Sequence, residues 1–79
     1  MTIEQQLHEA RVKSAACAYL IDLLLQRAEV TQPGLIQALM DGVAADQAGV
    51  DEDISEKPFI DDIFAETQKI LKRANGPWV

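Results

Sequence analysis

Residues 15–28, AACAYLIDLLLQRA, limit what this chain can fold into more than any other stretch. They are helix formers, and only Asp22, Gln26 and Arg27 interrupt their apolar run. At about 100° per residue, Leu20, Leu23, Leu24, Leu25, Ile21, Ala16, Cys17 and Ala28, with Tyr19 at the far edge, fan out over an arc of roughly 240°, against a little over 100° for an ordinary surface helix. The remaining strip carries Ala15, Ala18, Asp22, Gln26 and Glu29. A helix of this kind needs apolar neighbours on most of its circumference, so the expectation is a core helix in a small bundle. It does not read as a membrane span. Its uncharged run, residues 14–21, is far shorter than the ~20 apolar residues needed to cross a bilayer.

The chain has 79 residues, enough for one domain. At this size folding buries only about 60% of the surface that the unfolded chain exposes, so the core is marginal. The single cysteine, Cys17, has no intrachain partner, and its place on the apolar arc predicts a small buried hydrophobe. The sequence shows neither the basic start nor the cleavage site of a secretory leader, and a cytoplasmic setting is the expectation.

The net charge of −6 is unevenly spread. Residues 1–30 carry −1 and residues 56–79 balance. Residues 31–55 hold Asp41, Asp46, Asp51, Glu52 and Asp53 with no basic residue. Such a surface repels nucleic acid and anionic lipid, so neither is expected as a partner.

Local signals divide the chain into three helices. Thr2-Ile3-Glu4-Gln5 fits a capping box, with Thr2 accepting from the Gln5 amide while the Gln5 side chain reaches back. From there Ile3, Leu7, Ala10, Ser14, Cys17, Ile21, Leu24 and Ala28 follow an alternating four-three spacing. The small members in the middle allow close helix approach, and argue against a long coiled coil of the usual bulky kind. Pro33 holds Gln32 extended, which ends the first helix near residue 29. Thr31 or Gln32 is then expected to cap a second helix with Pro33 in its first turn.

Leu35, Ile36, Leu39, Met40, Val43 and Ala44 mark the buried face of that second helix. Gly42 is either a close contact or a weak point, and Gly49 a stop. An acidic connector, VDEDISEK, leads to a third helix with Pro58 in its first turn. Phe59, Ile60, Ile63, Phe64, Thr67, Ile70, Leu71 and Ala74 are its expected buried face. Asn75-Gly76-Pro77 is a strong stop, and Trp78 is expected to fold back on the domain or to anchor a partner.

No motif rises to a chemistry. His8 has Glu4 one turn before it, half of a possible metal site, but nothing in the sequence completes it. Asp51, Glu52, Asp53, Ser55 and Glu56 offer oxygen ligands without the glycine and spacing of an EF-hand loop. Asp61, Asp62 and Glu66 share an exposed helix surface, and paired carboxylates need a cleft to do hydrolysis. Val30-Thr31-Gln32-Pro33 before an apolar helix imitates a helix-turn-helix. The segment after it is acidic and has no Arg or Lys to meet a phosphate.

The sequence therefore predicts an all-α domain with helices near 3–29, 33–47 and 56–74, one long and two shorter, assembling as a dimeric helical bundle. It predicts a non-enzymatic protein-binding module of adaptor, chaperone or inhibitor type, with no cofactor or metal. Its partners are a second copy of itself and another protein. The expected interface is Cys17, Leu20, Ile21, Leu24, Leu25 and Trp78, with an acidic rim of Asp46, Asp51, Glu52 and Asp53. The alternative is an acidic mimic of nucleic-acid charge that blocks a basic groove on a target.

Overall fold

The computed structural model describes residues 1–76. They form three helices: α1 (Ile3–Thr31), α2 (Leu35–Ala48) and α3 (Lys57–Ala74). Among the described residues there is no strand. Trp78, expected to fold back on the domain or to anchor a partner, lies outside them.

α1 opens with the expected capping box. Thr2 Oγ1 accepts from the Gln5 amide at 3.1 Å, and Gln5 Oε1 accepts from the Thr2 amide at 2.9 Å. The helix runs two residues beyond the predicted end. The Thr31 hydroxyl donates to the Arg27 carbonyl at 3.2 Å and the Gln32 amide to the Ala28 carbonyl at 2.8 Å, which closes the last turn.

The start of α2 differs from expectation. Neither Thr31 nor Gln32 caps it, and Pro33 lies in the turn before it. The residue before the helix is Gly34, at φ +92°, a backbone conformation that only glycine adopts readily. Capping falls to the Glu29 carboxylate, upstream near the end of α1. It accepts from the Gly34 amide at 2.6 Å and from the Ile36 amide at 2.8 Å. A negative charge at a helix N-terminus satisfies amides that have no partner within the helix and complements its dipole. These bonds, the one from Ile36 foremost, hold the Glu29 carboxyl below its ordinary value.

α3 begins one residue later than predicted, with Pro58 in its first turn and Lys72 and Arg73 in its last, where basic groups suit the dipole. Lys57 Nζ donates to both oxygens of Asp61, at 3.1 and 2.9 Å. Asp61 Oδ1 also accepts from Gln47 Nε2 at 3.3 Å, which ties α3 to the end of α2.

α2 and α3 make the most extensive pairing, and α1 leans mainly on α3. The core at their junction is Ile36, Leu71 and Ala74, with Leu25, Met40 and Val43 packed around it. Gln68 Nε2 spans from α3 to the Met40 carbonyl at 3.0 Å, and Arg73 Nε reaches Asp22 on α1 at 3.0 Å.

The face that α1 turns inward centres on the polar strip and not on the apolar arc, of which only Leu23, Leu25 and Ala28 are half-buried. Ala18, Asp22, Leu25 and Glu29 are half-buried against the other two helices, whereas Cys17, Leu20, Ile21 and Leu24 are exposed. Cys17 is therefore not the buried hydrophobe that its apolar neighbours predict. The cause is polar. Asp22 pairs with Arg73, and Glu29 caps α2. Both carboxylates sit on the narrow strip, and their partners fix that strip against α2 and α3. The hydrophobic effect has no direction of its own, so these directional bonds orient the helix.

Candidate functional site

α1 leaves a broad apolar surface uncovered. Leu20 is 57% exposed and Leu24 67%, with Ile21 beside them. Toward the N-terminus the helix outruns its neighbours. A helix of this length spans about 43 Å, against about 21 Å for α2 and 27 Å for α3. Every residue from 3 to 13 is exposed, including Ile3, Leu7 and Val12.

The whole chain is correspondingly open. Its accessible surface is 6261 Å², whereas a compact monomer of its mass exposes roughly 4,700 Å². The radius of gyration is 15.4 Å, against about 11.6 Å for a compact chain of this length. The Cα trace spans 45 × 37 × 15 Å, a slab rather than a sphere. Isolated exposed leucines are ordinary, whereas Leu20, Ile21 and Leu24 are exposed together within little more than one turn of α1.

A second apolar patch lies on α3. Phe59 and Ile63, one helical turn apart, are 65% and 49% exposed, and Ile54 in the connector before them is exposed as well. The sequence pattern had placed Phe59 and Ile63 on the buried face. The helix angle shows why they are outside: with Leu71 at zero, Ile60 and Phe64 fall within about 20° of it, whereas Ile63 lies about 80° and Phe59 about 120° away. That angular offset is legible in the sequence, but it does not by itself separate core from surface: Ile70, about 100° from Leu71 on the same side, is half-buried.

Acidic residues neighbour this patch in sequence. Asp51, Glu52, Asp53 and Asp62 are exposed, as is Asp46 at the end of α2. Lys57 comes within 3.9 Å of Glu52, but its shorter bonds go to Asp61. The Asp61 hydrogen bond raises the Lys57 pKa and, reciprocally, lowers that of Asp61.

The predicted interface residues thus divide. Cys17, Leu20, Ile21 and Leu24 share one exposed face. Leu25 is instead committed to the chain's own core.

Among the described residues no group of three or more His, Cys, Asp or Glu side chains could hold a metal ion. His8 and Glu4 are both exposed on α1. No described helix is long and apolar enough to cross a membrane. An open groove between α2 and α3, floored by Met40, Ala44 and Ala65, has Asp41, Lys69 and Lys72 at its edges. The unpartnered Gln68 Oε1 belongs to a side chain lining it.

No protein family matches the chain, and neither a curated protein nor a solved structure is similar to it.

Proposed function

We propose that the protein is a non-enzymatic, homodimeric helical module that binds another protein. The observation that carries this reading is the apolar face of α1, left open because the polar strip of the same helix packs inward. The chain exposes about 1,500 Å² more than a compact monomer of its mass, of which the α1 face is one part, and obligate dimers bury roughly 2,000 Å² or more in total. A two-fold pair is the simplest closed assembly.

The patch of Ile54, Phe59 and Ile63 is then the surface for the other partner. An apolar centre rimmed by charge is the anatomy of a protein interface, and the acidic rim selects a basic target. The test uses the tagged chain as bait in an extract of its native cell, beside a Phe59→Ser/Ile63→Ser variant. A partner retained by the native chain and lost by the variant is the expected result. Retention that does not depend on these side chains overturns the reading.

The charge-mimic alternative draws on the same rim, since the exposed Asp46, Asp51, Glu52 and Asp53 have little basic compensation. It calls for binding that falls steeply with salt and is indifferent to Phe59 and Ile63.

A further inference from the structure

We propose that the second copy lies antiparallel along α1, on the seam formed by Ile3, Leu7, Ala10, Ser14, Cys17, Ile21 and Leu24. This rests on the dimer reading above and assigns it a surface and a direction.

The seam has alternating four-three spacing, a period of about 3.5 residues, which keeps one stripe facing a partner helix along a gentle left-handed supercoil. All seven side chains are exposed in the single chain. The seam's ends are large and its middle is small. Ala10, Ser14 and Cys17 let two helix backbones approach closely where an ordinary coiled coil would hold leucines apart.

Direction follows from what remains uncovered. In an antiparallel pair the bare N-terminal half of each α1, exposed from residue 3 to residue 17, covers the Ile21 and Leu24 end of the other, whereas a parallel pair sets like ends together.

A two-fold axis between Ala15 and Ala16 sets Ser14 against the partner's Cys17, Ala10 against the partner's Ile21 and Leu7 against the partner's Leu24. Each layer pairs positions of opposite heptad type, as antiparallel helices require. The isologous symmetry repeats every contact twice.

The test is a Leu7→Cys/Leu24→Cys variant in a Cys17→Ser background, treated with a short bismaleimide at a concentration where light scattering has measured its mass. Residues 7 and 24 are about 25 Å apart along one helix, too far for the reagent to join them within a chain. The expected result is a covalent dimer whose linked peptides join 7 to 24. Links of 7 to 7 and 24 to 24 overturn the direction. A dimeric variant that gives no link at either position overturns the seam and leaves the dimer itself standing. Native protein that is monomeric at the same concentration overturns both.

Discussion

Glu29 is the residue on which the turn between α1 and α2 depends, because its carboxylate supplies the cap that no side chain of α2 provides. Glu29→Gln is expected to lower the melting temperature at neutral pH. The sign with pH follows from the cause. The folded carboxyl is held below its ordinary value of 4.5, so its stabilisation is complete above that pH and is lost as pH falls through the folded value. The melting temperatures of the native protein and the Glu29→Gln variant should therefore converge as the solution is acidified below about pH 4.5. A gap that stays constant to strongly acidic pH would show that the carboxylate's charge plays no part. Gly42 gives a prediction of the opposite sign. It lies inside α2 and a Cβ there meets nothing within 4 Å, so it marks a weak point and not a close contact. Gly42→Ala should stabilise the chain by about 0.5–1 kcal/mol, read from chemical denaturation.

At the scale of elements, the sequence told more about which segments are helical than about which sides face inward. Local signals located all three helices to within about two residues at either end, but the cap expected for α2 at Thr31 or Gln32 and the place of Pro33 in its first turn were wrong. The orientation of α1 was not local. It depends on Arg73, 51 residues beyond Asp22, and on amides presented by a turn whose geometry the sequence does not spell out. Apolar count alone pointed to the wrong side for the chain's own core, although Cys17, Leu20, Ile21 and Leu24 on that arc were also expected at an interface with a second copy. The acidic connector was legible, and its exposure agrees with its composition. Its role is open to a direct test. Replacing Asp51, Glu52 and Asp53 with Asn, Gln and Asn should leave the melting temperature almost unchanged. It should slow association with the other partner several-fold at low salt and matter little at 1 M, where the Debye length is about 3 Å. Unaltered low-salt kinetics would reduce the segment to a solubilising connector.

The molecule as a whole has too little interior for its apolar content. Its fully packed core is Ile36, Leu71 and Ala74, while Leu20, Ile21 and Leu24 face outward. A chain that completes its burial only by pairing has a stability tied to its concentration. Its melting temperature should rise between about 1 and 100 μM, and Leu24→Asp should abolish that rise. In the single chain this substitution falls on a surface, whereas Asp22→Ala removes the ion pair that joins α1 to α3. On the proposed dimer, the effect of Leu24→Asp on stability passes through the pairing of two chains. The most direct measurement is the mass of the native protein in solution, by light scattering at micromolar concentration. Twice the 8.7 kDa of the chain is the expected result. A monomer mass, with the helices intact by circular dichroism, would contradict the dimer and everything argued from it.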